Sequence, residues 1–383
     1  MTVLAPRLDY RSGRPLPGWQ RHDREASYPV IRVRRLRTNL APRCHGLTTR
    51  ALAWLDDAAL RAALTLRLAW LILHRGIGAV CIGELHANGW ILALLRLFPW
   101  VVRAVYVHGE EIANRNDYDK DGSRRRCALL AAAQRIVVVS AFTETLVRAH
   151  LGEAAKPRLV LIENGVDTAR FRARARDPAL LARYGLQGCF VFVSVCRLLE
   201  TKGIDQAIRA FRQVAPRHHD VRFLVVGGGA DQTRLAAIAA QCGVADKVVF
   251  AGVVANSELM AHCALGDVFV MPNRSLPNGD TEGFGLVFLE ANACGVPVIA
   301  GDEGGSRDAV RHGESGLRVD GRSVAAIAAA MLDLYDSQPT RDRLRTGGLV
   351  RAAASSWGDK ASQFVAALAA SPGSISLAAK AAP

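Results

Sequence analysis

The chain has 383 residues, of which 50% are hydrophobic, so it is long enough for two domains with cores of ordinary size. Its formal net charge of +14 favours an anionic partner: nucleic acid, anionic lipid or a phosphorylated substrate. Nucleic acid ranks last, because no stretch interleaves aromatic with basic residues as RNA-binding modules do. The eight cysteines are scattered without a C-x-x-C pair, which argues against a disulfide framework or a zinc site and predicts reduced thiols in the cytosol.

The first part of the chain is predicted to contain two short apolar strands, at 3–5 and 28–33. The arginine-rich stretch 32–43 is interpreted as a solvated basic loop, with contact to phospholipid or a phosphorylated acceptor as the alternative. A helix predicted over 52–74 places its tryptophans, Trp54 and Trp70, on the side that faces the core. A membrane-interface role for these two rings is the alternative.

Two further buried strands are predicted at 77–82 and 101–107, and a charged loop at 117–126. His108 directly follows the second of these strands, at the carboxyl end, where ligands of parallel sheets bind. The apolar stretches around both strands are broken by Arg67, Arg96, Pro99 and Arg103, so neither is expected to span a membrane. A strand at 135–139 is followed by Ser140, a predicted helix N-cap.

Strands and helices alternate again after a turn at Asn164 and Gly165. Strict alternation predicts a parallel, doubly wound sheet, so the fold class is α/β with two Rossmann-like domains facing across a cleft. The strands predicted in this second half are 190–195, 223–226, 248–250, 267–272 and 297–300.

The stretch 281–294, T-E-G-F-G-L-V-F-L-E-A-N-A-C, is predicted to be a glycine-containing loop followed by a crossover helix. Glu282 lies in the loop, and Glu290 interrupts an apolar helix, where a carboxylate needs a hydrogen-bonding partner such as a sugar or ribose diol. The N–H groups of Gly283 and Gly285, at the positive end of the helix dipole, favour a phosphate. The stretch therefore offers acceptors and donors spaced like the parts of a nucleotide sugar.

Cations follow the first strand of the second half, in C-R-L-L-E-T-K-G. Arg197 and Lys202 would lie near the carboxyl end of that strand, where they can neutralise a diphosphate as it leaves. The three glycines at 227–229 end the next strand and are predicted to form a tight turn, because a complete G-x-G-x-x-G fingerprint is absent.

The motif E-G-F-G-L-V-F-L-E-A, followed by A-C-G-V-P-V-I-A, resembles the signature of the family 4 retaining glycosyltransferases of the GT-B fold. V-Y-V-H-G-E-E at 105–111 resembles the catalytic histidine motif of that family, and N-G-V-D at 164–167 resembles its interdomain turn. Among subfamilies, the chain is similar to phosphatidylinositol mannosyltransferases and bacterial exopolysaccharide transferases.

The resemblance implies a retaining hexosyltransferase that moves a hexose from a nucleotide diphosphate sugar to a lipid-linked or glycan acceptor. It implies GDP-mannose or a UDP-sugar as substrate, and no cofactor. No D-x-D pair stands at a strand end, so no metal is expected. It implies a cytoplasmic protein, with peripheral contact to the anionic inner face of a membrane as an option. The residues implied are His108, Glu282, Arg197 and Lys202 for catalysis, and Arg197, Lys202, Gly227, Val253, Glu282, Gly283, Phe284, Gly285 and Glu290 for donor binding.

The chain departs from the family pattern at its start, where a first strand and glycine-rich loop are expected and V-L-A-P stands instead. The predicted division is an acceptor domain at 1–165 lacking its first strand, a donor domain at 166–356, a crossover helix packing on the first domain at 357–370 and a disordered tail at 371–383. Two alternatives remain open. One is a nucleotide-sugar epimerase of the same fold, and the other is a truncated, non-catalytic binding or assembly subunit.

Overall fold

The computed structural model describes residues 1–9, 13–36, 47–113 and 122–369. The described residues form two compact units. The first comprises Met1–Val107, Asp121–Ile136 and Ala366–Pro383, and the second comprises His108–Lys120 and Val137–Val365. Parts of the predicted basic and charged loops, and the whole predicted tail at 371–383, lie outside the described residues. The predicted domain boundary at 165 stays a prediction.

Strands and helices alternate along most of the described chain. The strands are β1 (Val3–Pro6), β2 (Val30–Val33), β3 (Ala79–Ile82), β4 (Val102–Val107), β5 (Arg135–Val138), β6 (Leu159–Leu161), β7 (Phe190–Val195), β8 (Val221–Val226), β9 (Val248–Gly252), β10 (Val268–Met271), β11 (Val298–Gly301) and β12 (Gly316–Val319). The helices are α1 (Trp19–Glu25), α2 (Leu47–Arg75), α3 (Leu85–Asn88), α4 (Trp90–Leu94), α5 (Glu110–Ala113), α6 (Gly122–Ala131), α7 (Ala141–Leu151), α8 (Pro178–Tyr184), α9 (Ile204–Val214), α10 (Gln232–Gln241), α11 (Leu259–Cys263), α12 (Leu286–Ala293), α13 (Ser306–Ala309), α14 (Val324–Asp336), α15 (Gln338–Ala353) and α16 (Trp357–Ala369).

A six-stranded sheet in the order β12-β11-β10-β7-β8-β9 organises the second unit. Every neighbouring pair in it is parallel, which confirms the doubly wound sheet predicted from the alternation. The strands β7, β8 and β10 are buried along almost their whole length, because helices cover both faces of such a sheet. Their carboxyl ends therefore lie along one edge of the sheet, where the loops after each strand come together.

The remaining strands form a four-stranded sheet, in the order β3-β4-β5-β6, and a parallel pair of β1 with β2. The predicted N-cap is confirmed at the start of α7, where the N–H of Thr143 donates to Ser140 Oγ at 3.0 Å. The helix α12 ends at a glycine: Gly295 adopts φ 72°, and the N–H of Val296 donates to the carbonyl of Ala291 at 3.0 Å.

The sequence prediction is wrong for residues 122–126, which were predicted to be loop and form the start of α6, and for the tryptophans of helix α2. The helix α2 forms as expected, but Trp54 is 66% exposed and Trp70 is 43% exposed, so neither ring belongs to the core. The buried side of this helix carries Leu64, Leu68, Leu71 and Ile72 instead. The intervals between these residues, of four, three and one positions, place them on one stripe along the helix. Trp70 is rotated by about 100° around the helix axis from its neighbour Leu71. No helix in the described part of the chain combines the length and the apolar character needed to cross a membrane.

Candidate active site

The predicted site residues gather on the loops that follow the sheet strands of the second unit. Arg197 and Lys202 follow β7, Gly227 follows β8, Val253 follows β9, and the loop 281–285 follows β10. His108 follows β4 and belongs to the same compact unit.

An ion pair joins the loops after β7 and β10. Lys202 Nζ lies 2.5 Å from Glu282 Oε2, and the two side chains are only 15% and 14% exposed. A second pair, Arg197 Nη2 with Glu110 Oε1 at 3.1 Å, is mostly exposed to solvent. Each predicted cation therefore has a carboxylate partner in this structure. The sequence analysis named the cations and Glu282, but neither Glu110 nor the pairings.

Asp280, two residues before Glu282, is a further carboxylate near these ion pairs that was not predicted from the sequence. Burial raises the pKa of its carboxyl, and the charge of Glu110 raises it further, while Lys202 and Arg197 act in the opposite direction. The signal for it was a third acidic residue two positions before Glu282. Cys196 directly precedes Arg197 in the chain. Burial raises the pKa of its thiol to about 12, so this thiol is protonated at neutral pH and is a poor nucleophile.

The loop 281–285 is held in place through its carbonyl groups. Ser140 Oγ donates to the carbonyl of Gly283 at 2.8 Å, and the N–H of Gly305 donates to the carbonyl of Glu282 at 2.8 Å. The N–H groups of Gly283, Phe284 and Gly285 donate to no residue in the described ranges. Since the carbonyls are engaged and these amides are not, the loop presents donors next to the Lys202–Glu282 pair.

Close backbone approach explains two of the glycines. A Cβ on Gly283 would lie 2.0 Å from the carbonyl oxygen of His108, so only glycine lets the chain after β4 come this near. A Cβ on Gly227, which has φ 129°, would lie 1.9 Å from the carbonyl oxygen of Cys196. The next residue, Gly228, lies against Val253, whose side chain is 83% exposed. The predicted neighbours Gly227 and Val253 thus belong to one surface.

Glu290 lies in the second turn of α12 and is half-buried. Burial raises the pKa of its carboxyl, opposed by the charge of Arg170. Its side chain makes no hydrogen bond with any residue that the structure describes. A carboxylate in this environment can accept hydrogen bonds from a ligand, and the sequence predicts a sugar or ribose diol as that ligand.

His108 is exposed at the carboxyl end of β4. Its backbone N–H donates to Glu111 Oε1 at 2.8 Å, which fixes the turn into α5. Within the described residues, no group of three or more His, Cys, Asp or Glu side chains is arranged to hold a metal ion.

Comparisons with known proteins agree with this architecture. Residues 184–349 match the family described as "Glycosyl transferases group 1". A GDP-mannose-dependent alpha-(1-6)-phosphatidylinositol monomannoside mannosyltransferase of Mycobacterium tuberculosis is 44% identical over 204 residues, which are 52% of this chain and 52% of that protein. A D-inositol 3-phosphate glycosyltransferase of Acidothermus cellulolyticus is 39% identical over 223 residues, covering 54% and 47%. The chain spans about half of the length of the curated relatives it matches.

Solved structures extend the likeness of fold to most of the chain. Anabaena HepE in complex with UDP and glucose has a TM-score of 0.71 at 18% identity, over 96% of this chain and 99% of that one. A sucrose-phosphate synthase of Thermosynechococcus elongatus has a TM-score of 0.66 at 24% identity, over 80% and 77%. The chain therefore has the fold of the GT-B glycosyltransferases, and its residues 184–349 match the glycosyl transferases group 1 family.

Proposed function

We propose that the protein is a retaining hexosyltransferase that transfers a hexose from a nucleotide diphosphate sugar to a lipid-linked or glycan acceptor. The observation that carries the proposal is that three kinds of group lie together at the carboxyl ends of the strands of the six-stranded sheet. Paired cations lie there beside free backbone amides, and a half-buried carboxylate without a hydrogen bond lies in the helix that follows. These groups match, in order, a diphosphate, a sugar and a ribose.

The diphosphate would be bound by Arg197 and Lys202. Both cations are paired with carboxylates here, so donor binding would exchange Glu282 and Glu110 for phosphate oxygens. The exchange matters for the rate, because the charge that develops on the departing diphosphate needs preorganised cations. Glu282, released from Lys202, would then accept hydrogen bonds from the sugar hydroxyls.

The free N–H groups of Gly283, Phe284 and Gly285 would donate to the sugar or to the phosphate nearest to it. Glu290 would accept both ribose hydroxyls, which gives its buried carboxylate the partners that the protein does not provide. The nucleotide base would lie against the surface formed by Gly227 and Val253, which is exposed and partly apolar.

His108 would support the sugar as positive charge develops at its anomeric carbon. Its backbone carbonyl lies against Gly283, so the residue adjoins the loop that would hold the sugar. Departure of the diphosphate with retention requires stabilisation of the leaving group and exclusion of water more than a dedicated base. The donor would be a substrate, with no cofactor in this scheme.

The names of the relatives favour GDP-mannose over a UDP-sugar as donor and a lipid-linked acceptor. A cytoplasmic location with peripheral contact to an anionic membrane belongs to the same proposal, and the net charge of +14 supports it.

Calorimetric titration with GDP, UDP and ADP tests the donor site. We expect saturable binding of GDP, weakened at least about tenfold by Glu290→Gln and by Lys202→Ala, because each removes a charge-assisted hydrogen bond. Glu153→Gln and Lys156→Ala, at exposed positions, serve as matched controls and should bind like the parent chain. A folded chain that binds none of the three nucleotides would refute the proposal. Donor turnover to an epimer without any acceptor would favour the epimerase instead.

The pH dependence of nucleotide binding should follow Glu290. Its pKa is raised, so a fall in pH protonates this acceptor earlier than it would an ordinary glutamate, and affinity for the ribose should fall. The same shift acts on folding in the opposite direction: a raised folded-state pKa gives stability that is present below the unfolded pKa and is lost as pH rises through the folded pKa. Glu290→Gln should therefore bind more weakly yet melt at a higher temperature at neutral pH. A Glu290→Gln variant that melts lower there would contradict this account.

A further inference from the structure

A cavity lies in the second compact unit, and none of the predicted donor-binding residues line it. It has a volume of about 410 Å³ and lies between the loop 311–315 and α15. Its charged lining consists of three arginines, Arg311, Arg343 and Arg351, and one carboxylate, Glu314. Three cations against one carboxylate give the lining a net positive charge, which favours an anion.

Arg351 is the buried member of this set. Its side chain is 7% exposed, and its Nη2 donates to Glu163 Oε2 and to the carbonyl of Asp308, both at 2.8 Å. Its Nε is buried and makes no hydrogen bond with the described residues. A guanidinium has five N–H donors, and only Nη2 makes hydrogen bonds with the described residues, so this cavity-lining side chain keeps donors for an acceptor.

The other two arginines lie at the rim. Arg311 and Glu314 are 63% and 69% exposed and 3.9 Å apart, so this pair is weak and Arg311 can turn to a ligand. Arg343 donates through Nη1 to the carbonyl of Gly313, which places its guanidinium over the loop. Both rim arginines are thus near the cavity mouth, with N–H donors to spare.

A glycine of α15 allows the helix and the loop 311–315 to pack closely beside this cavity. Gly347 lies in the interior of the helix, where glycine costs about 1 kcal/mol relative to alanine. A Cβ there would lie 2.1 Å from the carbonyl oxygen of Glu314, so glycine is what allows the loop to rest directly on the helix. The neighbouring Gly348 has a separate reason, because its Cβ would lie 2.5 Å from Asn292 Oδ1 on α12.

We propose that this cavity binds a small phosphate-bearing anion through Arg311, Arg343 and Arg351. Arg351 also connects the cavity to the loop 281–285, which we call the donor loop. Its bond to the carbonyl of Asp308 anchors α13, and α13 begins directly after Gly305, whose N–H holds the carbonyl of Glu282. An anion that draws the Arg351 guanidinium towards the cavity changes the bond at Asp308 and so acts on the loop that carries Glu282.

Titration with inorganic pyrophosphate tests the site. With GDP saturating the donor site at Arg197 and Lys202, we expect pyrophosphate to bind the parent chain and its affinity to fall at least about tenfold in Arg311→Ala/Arg343→Ala, because two charge-assisted partners are lost. Arg209→Ala/Arg212→Ala is the matched control: it removes the same charge from exposed positions of α9 and should leave binding unchanged. Arg351 is kept intact, because its removal would leave Glu163 without its closest cation.

Two results would overturn the proposal. One is equal loss in both double variants, which would mean binding to net charge alone. The other is full pyrophosphate binding in Arg311→Ala/Arg343→Ala together with loss of binding in Lys202→Ala, which would assign the anion to the donor loop. An expected companion result is that pyrophosphate still binds the parent chain when GDP saturates the donor site, and no longer binds Arg311→Ala/Arg343→Ala under the same condition.

Discussion

Replacing Lys202 with methionine should lower kcat/KM for sugar transfer by about 10²–10³-fold, the usual loss when one preorganised partner of a developing anion is removed. In the proposed reaction Lys202 neutralises the diphosphate as it leaves, and no described cation other than Arg197 lies in the same loop. The single change also leaves the Glu282 carboxylate, 14% exposed, without its partner at 2.5 Å. Loss of activity could therefore come from a disturbed loop rather than from lost catalysis.

A double variant separates these two causes. Lys202→Met/Glu282→Gln replaces the ion pair with two neutral side chains of similar length, so the melting temperature lost in Lys202→Met should largely return. We expect kcat/KM of the double variant to stay low and to lie below that of Glu282→Gln alone, because only the double variant lacks the cation. Lys156→Ala, at an exposed lysine, controls for net charge and should keep full activity. If the double variant regains activity along with stability, the ion pair is structural and the proposed role of Lys202 is wrong.

Most of the second unit could be predicted because its sequence is locally unambiguous. Buried strands such as β7 and β10 are short apolar runs between glycine-containing loops, so their existence and their parallel arrangement follow from pattern alone. The elements of this unit that were missed include α5, α8 and β12. The strand β12 lies at the edge of its sheet and includes the polar Arg318, so it lacks the continuous apolar run of a central strand.

The residues of the proposed site could be named from the sequence, but their contacts could not. Lys202 and Glu282 are separated by 80 positions, and nothing in either local sequence says that the two side chains meet. The same limit explains the error at Trp54 and Trp70. Trp70 lies on another side of α2 than Leu68, whereas Trp54 lies about five full turns before the buried Ile72 and so shares its side. Periodicity shows that a helix has an apolar stripe, but not how much of its length is covered by other elements.

Replacing Arg274 with methionine should destabilise the protein by about 3–5 kcal/mol, the typical loss when one partner of a buried ion pair is removed. Arg274 and Asp205 are each 8% exposed and are joined by two bonds, Nη1 to Oδ1 at 2.8 Å and Nη2 to Oδ2 at 3.0 Å. The backbone N–H of Arg274 also donates to the carbonyl of Thr201 at 2.9 Å. The pair therefore holds the turn that carries Lys202 against the loop after β10.

Arg234→Met is the matched control for this change. Arg234 also contacts Asp205, at 3.4 Å, but its side chain is 43% exposed, so its loss should cost less than about 1 kcal/mol. Denaturant unfolding at neutral pH measures both variants. Equal effects would show that Arg274 acts only as one charge among several around Asp205.

Acid unfolding gives the same pair an independent test. Burial alone would raise the pKa of the Asp205 carboxyl, but the hydrogen bonds and charge of Arg274, with help from Arg234, hold it below its usual value. A lowered folded-state pKa contributes stability that is present above the unfolded pKa, about 3.9, and is lost as pH falls through the folded value. Without Arg274, burial dominates and the folded-state pKa rises, so Arg274→Met should begin to lose the Asp205 carboxylate at a higher pH. Its stability would then change with pH above the unfolded pKa of about 3.9, where the parent chain keeps this contribution constant. Parallel stability curves for the two chains across that range would show that the Asp205 carboxyl is held ionised by something other than Arg274.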